Sequence, residues 1–410
     1  MNSSVTNINK KPIYLDYAAT TPCDNRVLEV MLPYFNDLYG NINSLHYYGA
    51  EALEALTDAR QQIAKDINVN TDEIIFTSGA TESSNIAILR TIERLKQCFF
   101  TAKTQHASII AISDRLQFLK QPVKFLKVDN RGLLDINYLE EQLKENKGLV
   151  SVCLVNNETG TLQNIKPIVE ICHKYNSLIH VDATQAYGKI HMDVRELDFD
   201  FMSASGHKIY GPKGIGILYC KKSNQKYIRV PRANPDIEFG IRAGTIPTPL
   251  CVGVSEASKI SHLCIDEELN RISKLRQLFI SKIKNNLEEI YINGSQTSNY
   301  PGIINVSFRG CEGESLMMES KRIAISSGSA CTSNKLTISH VLDTMGIAPD
   351  IAQSSLRIAI GRNTTEEDIN IAVEDLTNAT LKLRSISAVW DMIKAGIDIN
   401  KRFERGIYKH

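Results

Sequence analysis

One lysine lies in a segment suited to close contact with a ligand. Lys208 follows a short β-rich run and precedes a glycine-rich turn, residues 211–214. A lysine held beside a cofactor phosphate can lose its proton and form a Schiff base. Most lysines are solvated surface residues, but here Ser205, Gly206 and His207 supply phosphate-binding groups and close backbone approach at one place. Lys208 is therefore predicted to carry a Schiff-base cofactor, and this segment alone leaves decarboxylation, transamination and elimination open.

Two further segments carry groups that such a cofactor needs. Residues 76–83 run from a strand into a helix, where backbone N–H groups and the Thr81 hydroxyl can meet a phosphate. Taken alone, that segment is better explained as an ordinary capped helix start. Asp182 follows a buried strand, where an ionised carboxylate needs a cationic partner such as a pyridinium nitrogen. A helix N-cap explains Asp182 about as well.

One cysteine differs from the others in its surroundings. The chain has 9 cysteines and no C-x-x-C pair, so neither zinc nor a redox dithiol is indicated, and most are expected to be reduced and buried. Cys331 instead lies in the small, polar segment 326–333 that follows a strand at Ile323. An exposed thiol on a mobile loop can act as a nucleophile, although an ordinary loop cysteine is the better interpretation of this segment alone.

The elements that position these residues form an alternating pattern. From Glu73 to Cys220, short β-rich runs alternate with helical patterns, which predicts a mostly parallel sheet with helices on both faces. A crossover helix is expected at 165–175. Ligands of such sheets bind at the carboxyl ends of the strands, which is where Asp182 and Lys208 fall. The predicted strands are 74–76, 149–155, 178–181, 199–202 and 217–219.

The last third of the chain predicts a second domain. Residues 266–290 have the spacing of a long amphipathic helix that joins two domains. Beyond it, strands are expected at 303–308, 323–325 and 356–360. Thr364 and Glu367 have the spacing of a capping box that opens another helix. This order of elements suits a smaller α+β domain.

Composition limits the classes of ligand. The chain has 410 residues and a formal net charge of +1, so it lacks a general field for nucleic acid or membrane surfaces. It has no apolar run of about eighteen residues, and its polar start lacks the apolar core of a secretion signal. Small ligands and a cytosolic or organellar location are expected.

Taken together, these segments resemble the cysteine desulfurases of the iron–sulfur cluster assembly type. These enzymes are a branch of the class V aminotransferase family, within the fold-type I pyridoxal-phosphate enzymes. The resemblance implies an α/β fold with a large domain, residues 13–262, around a mostly parallel seven-stranded sheet. It also implies a smaller α+β domain, residues 263–410, which the N-terminal segment 1–12 joins. The motifs that carry it are Tyr14–Pro22, Gly40-Asn41, Thr77–Ser83, Val155–Glu158, the Lys208 segment, Ser326–Ser333 and Trp390–Met392.

The resemblance implies roles in binding pyridoxal 5'-phosphate. Lys208 would bond the cofactor and shuttle a proton, and Asp182 would keep the pyridine nitrogen protonated, which makes the ring an electron sink. His106 would stack on the ring and transfer protons, and Gln185 would hydrogen-bond the ring hydroxyl. Thr245 would reach the phosphate from the partner subunit of a homodimer. The other implied cofactor-binding residues are Ala80, Thr81, Asn157, Ser205 and His207, of which Thr81, Ser205 and His207 would contact the phosphate.

The resemblance also implies the reaction and its partners. Asn157 and Arg357 would hold the carboxylate of L-cysteine. Cys331 would attack the substrate sulfur, keep it as a persulfide and release alanine, after which its loop would deliver sulfur to an iron–sulfur scaffold or another acceptor, with tRNA thiolation as a further use. No resident metal is implied, although Cys331 would transiently ligate a cluster. The implied location is cytoplasmic, with the mitochondrial matrix or a related organelle as the alternative.

The chain departs from the family pattern at three places. Asn234–Ile237 replaces a glycine run before Glu238, and proline there fixes φ where glycine would leave it free. Asn334–Ser339 replaces a stretch that commonly carries an acid and a proline. The tail Asn400–His410 also differs from the usual pattern, and in relatives that tail helps to dock the scaffold protein.

These departures leave two alternatives to an active desulfurase. One is a selenocysteine lyase or another class V enzyme, and the other is a catalytically weakened subunit kept for its protein contacts. Retention of Lys208, Asp182, His106 and Cys331 favours the active desulfurase.

Overall fold

The chain forms two compact units. The computed structural model describes residues 11–230, 237–327 and 338–399. The large unit comprises Ala18–Leu269 and Gly294–Tyr300, and the small unit comprises the residues up to Tyr17, Asn270–Asn293 and those from Pro301 onward. The division into functional domains between residues 262 and 263, which the resemblance implies, stays a prediction.

The strands of the described residues are short and are numbered in chain order. They are β1 Ile13–Tyr14, β2 Ile74–Thr77, β3 Cys98–Ala102, β4 Val123–Leu126, β5 Gly148–Cys153, β6 Leu178–Asp182, β7 Phe201–Ser205, β8 Gly216–Cys220, β9 Ile290–Asn293, β10 Ile303–Phe308, β11 Ile323–Ala324, β12 Ser326–Ser327 and β13 Ser355–Ala359.

The α-helices of the same residues are also numbered in chain order. They are α1 Asn25–Met31, α2 Pro33–Asn36, α3 Tyr47–Asp66, α4 Ala80–Leu95, α5 Ala107–Phe118, α6 Ile136–Glu145, α7 Ile165–Lys174, α8 Val194–Leu197, α9 Gln225–Ile228, α10 Thr248–Leu263, α11 Ile265–Asn286, α12 Gly313–Glu319, α13 His340–Thr344, α14 Pro349–Ala352, α15 Glu366–Ser385 and α16 Ala388–Lys394. Short 3₁₀ turns lie at Thr71–Glu73, Gly206–Lys208, Lys222–Asn224 and Glu238–Gly240. No helix within the described ranges is long and apolar enough to cross a membrane.

A seven-stranded sheet organises the large unit. Its strand order is β2-β8-β7-β6-β5-β3-β4, and β8 runs antiparallel to both of its neighbours while the other paired strands run parallel. All residues of β2, β3, β7 and β8 are buried, which is the pattern of strands covered on both faces. The mostly parallel sheet predicted from the alternating pattern is confirmed, and α7 confirms the crossover helix.

The small unit contains a separate antiparallel sheet. Strands β12-β13-β10-β9 pair in that order, and β1 pairs with β11 in parallel. Helices α11 and α15 contribute Phe279, Ile283, Ile369 and Leu376 to a buried cluster with β10 and β13. The predicted α+β character of the last third is therefore confirmed.

Two predicted element boundaries in the small unit are wrong. The capping box of α15 pairs Thr365 with Asp368, one residue later than predicted, because the Thr364 hydroxyl accepts a hydrogen bond from the backbone of Gly361 instead. The amphipathic helix was predicted to reach residue 290, but α11 ends at Asn286. The chain turns at Glu289, whose φ is +56°, and Ile290 begins β9, which pairs with β10.

Candidate active site

Two neighbouring strands bring the predicted cofactor-binding residues to one edge of the large unit. Strands β6 and β7 run parallel, with Asp182 opposite Ser203, so Asp182 and the turn Gly206–Lys208 both follow the carboxyl ends of their strands. Ser205, at the end of β7, is buried. We call this side of the sheet the carboxyl edge, and ligands of such sheets bind there.

The amine of Lys208 meets backbone carbonyl groups from the start of the large unit. Its Nζ donates to the carbonyl oxygens of Ala18, at 2.7 Å, and Ala19, at 2.6 Å. The side-chain Nε2 of Gln185 donates to the same Ala18 oxygen at 2.8 Å. Residues Ala18–Thr21, which we call the strap, therefore join Lys208 to the loop that follows Asp182.

Asp182 is a buried carboxylate at the end of β6. Its side chain is held by the backbone N–H and the hydroxyl of Thr184, at 3.0 and 2.5 Å, and only 5% of the residue is exposed. A buried carboxylate is stabilised by a cationic partner, and a protonated pyridine nitrogen is such a group. The N-cap alternative does not describe this residue, because no helix begins at Ala183.

A neutral histidine lies on β6 two residues before Asp182. Burial lowers the pKa of His180, against the opposing charge of Asp182. Its Nδ1 lies 3.0 Å from the Ser151 hydroxyl and its Nε2 lies 2.8 Å from the Ser203 hydroxyl. Since i and i+2 residues of a strand share a face, this polar chain supports the strand that presents Asp182.

The start of α4 offers backbone donors at the same edge. The helix begins at Ala80 after Gly79, and no side chain caps its first N–H groups. Thr81 is exposed in the first turn. The 16-residue length of α4 gives its N-terminus the partial positive charge that favours an anion such as a phosphate.

A group of lysines adds positive charge around His207. Burial and the charges of Lys208, Lys213 and Lys189 together lower the pKa of His207 to about 4. Its Nδ1 lies 3.1 Å from the Thr20 hydroxyl. Neutral His207 can therefore donate a hydrogen bond within a cationic surrounding, which is the chemistry that a phosphate dianion requires.

His106 and Asn157 occupy the ends of the next strands of the sheet. His106 is the N-cap of α5, and its Nδ1 accepts from the backbone of Ser108 at 3.2 Å. Asn156 donates from its side chain to the Thr104 carbonyl at 2.8 Å, which ties the loop after β5 to the loop that holds His106. Asn157 is the next residue along that loop, so His106 and Asn157 lie on connected segments.

The segment that departs from the family pattern is followed by a buried ion pair. Residues 234–236 lie outside the described residues. The Glu238 carboxylate accepts from Arg60 at 2.5 Å and from the backbone of Phe76 at 2.7 Å, and the Glu238 residue is 3% exposed. This pair fixes the chain after the altered segment to β2. Thr245, expected to serve a partner subunit, is exposed.

The predicted carboxylate-binding arginine belongs to the small unit. On β13, Nη2 of Arg357 donates to Asp16 at 2.8 Å and to the Ser326 hydroxyl at 3.3 Å. Arg357 therefore already holds a carboxylate, and it contacts the first residue of β12. Cys331, five positions further along the chain, lies outside the described residues, and its role stays a prediction.

Sequence reasoning gave no role to the strap or to Lys189. The strap lies inside the Tyr14–Pro22 motif, so the resemblance identified the segment but not its contacts. Lys189 donates to Oε1 of Gln185 at 2.8 Å and so orients the amide whose nitrogen reaches the strap. The spacing of Gln185 and Lys189, four residues apart, was a signal available in the sequence.

Comparisons with known proteins identify the family to which the chain belongs. The family model described as aminotransferase class V matches residues 13–371. The chain is 41% identical over 405 residues to the cysteine desulfurase IscS of Rickettsia felis, an alignment that covers 98% of both chains.

Two solved structures resemble the fold closely. One is a NIFS-like protein, with a TM-score of 0.82 and 34% identity over 90% of this chain and 98% of the other. The second, described as SspA in complex with cysteine, has a TM-score of 0.75 and 32% identity over 85% of this chain and 98% of the other.

Proposed function

Because this chain belongs to the cysteine desulfurases of the IscS and NifS type, within the class V aminotransferase family, we propose that it binds pyridoxal 5'-phosphate and converts L-cysteine to L-alanine. The sulfur would leave as a persulfide on Cys331. The observation that carries this proposal is the meeting of Lys208, Asp182 and the uncapped start of α4 at one edge of the sheet.

The chemistry of the donor set fits this cofactor. A buried carboxylate suits a protonated pyridine nitrogen, a helix N-terminus with three lysines near His207 suits a phosphate, and a lysine amine suits an aldehyde. Pyridoxal phosphate, when bound, supplies a ring that withdraws electrons from the substrate carbon. Thr81, Ser205 and His207 would hold its phosphate, Thr245 of a second copy would complete that group, and Ala80 would be a further contact of the cofactor.

Side chains of this chain would transfer protons and bind the substrate carboxylate. Lys208 would take and return the proton at the substrate carbon, and His106, held through its Nδ1 by Ser108, would stack on the ring and assist proton transfer. Gln185 would orient the ring by a hydrogen bond to the ring hydroxyl. Asn157 and Arg357 would bind the substrate carboxylate, and the Asp16 contact supports that use of Arg357.

The reaction needs a thiolate that is accessible, and this requirement favours Cys331. Burial raises the pKa of Cys98 to about 11 and raises the pKa of Cys153, Cys172, Cys220 and Cys251 still further. Those thiols stay protonated and unreactive near neutral pH. A selenocysteine lyase is the alternative in which Cys331 is dispensable.

A homodimer would complete the site and cover an apolar surface. Contiguous exposed apolar patches on a soluble protein mark binding surfaces, and such side chains are concentrated between residues 28 and 53 of the large unit. Sulfur would then pass from the dimer to a scaffold or other acceptor protein. The exposed side chains of this surface are Leu28, Leu32, Phe35, Tyr39, Leu45, Tyr47, Tyr48 and Leu53.

The location of the enzyme is a separate prediction. We expect a cytoplasmic enzyme, with the mitochondrial matrix as the alternative.

The test uses the full chain loaded with pyridoxal phosphate, and it measures alanine and sulfide formed from L-cysteine with a reductant. Wild type should give equal amounts of both, and Cys331→Ala should retain cofactor and lose sulfide release by about a hundredfold or more. Cys264→Ala, at a partly exposed cysteine of the large unit, is the matched control and should behave as wild type. Normal sulfide release from Cys331→Ala, with L-selenocysteine turned over faster than L-cysteine, would replace the desulfurase assignment by the lyase.

A further inference from the structure

Every residue of the strap makes a hydrogen bond to the Lys208 side chain or to the turn that carries it. The carbonyl groups of Ala18 and Ala19 accept from Nζ of Lys208. The Thr20 hydroxyl lies 3.1 Å from Nδ1 of His207. Thr21 donates to the His207 carbonyl from both its backbone and its hydroxyl, each at 3.0 Å.

The two carbonyl contacts distinguish between chemical states of Lys208. A free lysine is an ammonium with three N–H donors, and two of them can serve Ala18 and Ala19. A lysine bonded to an aldehyde carbon through a double bond has at most one N–H, so it cannot serve both carbonyls. Hydrogen bonds from a charged donor are also stronger than neutral ones. The strap therefore favours Lys208 in its unbonded form.

We propose that the strap is the docking position of the Lys208 amine while an amino acid occupies the cofactor in its place, and that Thr21 is the positioning residue of the strap. This inference rests on the proposed function, because it needs an amino acid that displaces Lys208. According to this proposal, Ala18–Thr21 contribute to the affinity of the enzyme for its amino acid.

The exchange is neutral in electrons and balanced in protons. The bond from the cofactor aldehyde carbon to Nζ of Lys208 breaks, and a bond from the same carbon to the amino-acid nitrogen forms. The two protons that the incoming ammonium gives up end on Nζ, which becomes an ammonium and must give one proton up before it can take the proton at the substrate carbon. The carbonyl groups of Ala18 and Ala19 then receive two of its N–H bonds, which stabilises the side of the exchange with the amino acid bound.

The Thr21 hydroxyl holds the strap against the Lys208 turn, because it both donates and accepts a hydrogen bond there. The hydroxyl donates to the His207 carbonyl at 3.0 Å and accepts from the backbone of Tyr210 at 2.8 Å. Thr21 is 5% exposed, and Tyr210 has a φ of +65°, a conformation that non-glycine residues adopt only where neighbours fix it. Valine at position 21 would fill the same volume without either contact.

The first measurement is a titration of the full-length enzyme, loaded with pyridoxal phosphate, with L-alanine, followed by the change in cofactor absorbance. Thr21→Val should raise the dissociation constant for L-alanine about fivefold, the effect of weakening roughly one hydrogen bond. Thr21→Ser, which keeps the hydroxyl, should restore the wild-type value. Thr380→Val removes an equally buried hydroxyl that bonds within α15, and it should leave the affinity unchanged.

The second measurement does not depend on the reaction. In the full chain freed of cofactor, acetic anhydride should modify Lys208 about fivefold faster in Thr21→Val than in wild type, because its amine is less held. Lys189 and Lys213, read from the same mass spectra, serve as internal references. A purely structural role of Thr21 would lower thermal stability and leave the ratio of Lys208 to reference labelling unchanged.

The outcomes separate the two proposals. If wild type binds L-alanine and Thr21→Val binds it equally well, the role of the strap is wrong, whatever the stability of the variant. If wild type binds no L-alanine and forms none from L-cysteine, the proposed function is wrong, and the labelling ratio alone decides whether the strap holds the amine.

Discussion

The carboxyl edge and the amino edge of the seven-stranded sheet shift the pKa of a histidine in opposite directions. At the carboxyl edge, burial and the charges of nearby lysines lower the pKa of His207 to about 4. At the amino edge, where β6 and β7 begin, a hydrogen bond to Asp200 raises the pKa of His173. Burial lowers the pKa of both histidines; at His207 the lysine charges add to that effect, whereas at His173 the hydrogen bond and charge of Asp200 overcome it.

The amino edge balances its charges within the protein. Asp200 accepts from the backbone of Ile179, from Asn224 and from His173, and Lys221 pairs with Asp198 at 2.6 Å. The carboxyl edge instead gathers positive charge around His207 and buries the carboxylate of Asp182. This difference indicates that the charges of the amino edge serve stability, and it supports the proposal that the carboxyl edge binds a ligand of mixed charge. Single substitutions can test it.

The largest expected effect is on catalysis, from Asp182→Asn at the carboxyl edge. We expect kcat for alanine formation to fall about a hundredfold to a thousandfold, because a neutral amide no longer stabilises the cationic ring nitrogen. The thermal midpoint should change little, since an amide oxygen can still accept from Thr184. Asp193→Asn, at the half-buried N-cap of α8, is the control. Equal loss of activity in both variants would remove Asp182 from the site.

The second effect is on stability, from Asp200→Asn at the amino edge. Asp200 is 3% exposed, and because Ile179 and Asn224 donate to different oxygens of Asp200, an amide would turn its NH2 group against one of these two donors. We expect the free energy of unfolding, measured with urea, to fall by about 2–4 kcal/mol. The kcat of the folded protein should stay within about twofold of wild type. A large fall in kcat without lost stability would contradict the division between the edges.

The smallest effect is a change in how stability depends on pH, from His173→Gln. The folded pKa of His173 is raised, so its charge stabilises the fold below its unfolded pKa of about 6.5, and this contribution disappears as pH rises through the folded pKa. The difference in unfolding free energy between wild type and variant should be largest near pH 6 and shrink by pH 9. It should stay below about 1 kcal/mol, since the side chain is 32% exposed. A difference that does not vary with pH would show that the ion pair contributes nothing.

The sequence predicts the parts of this molecule that depend on local pattern. Strands β6 and β10 are apolar runs buried within their sheets, and their predicted positions match the structure closely. The edge strand β4 is only partly buried and has no such pattern, and the prediction did not include it. The capping box of α15 was misplaced by one residue because two adjacent threonines compete for that role.

The contacts of the site are harder to predict because they join distant parts of the chain. Lys208 and Gln185 could be assigned a cofactor from their own segments and the resemblance. Their shared acceptor, the Ala18 carbonyl, is 190 residues from Lys208, and a backbone oxygen has no side-chain signature. The low pKa of His207 likewise depends on burial in the folded chain and on the charges of lysines that the fold brings near it.

The proposed role of the carboxyl edge depends most directly on which lysine carries the cofactor. Borohydride reduction of the purified protein loaded with pyridoxal phosphate, followed by digestion and mass spectrometry, would identify that residue. Three lysines, Lys189, Lys208 and Lys213, act on His207, so the result discriminates among close candidates. We predict one phosphopyridoxyl group per chain, on Lys208. A group on Lys189 or Lys213, or a chain that retains no phosphopyridoxyl group, would contradict the account.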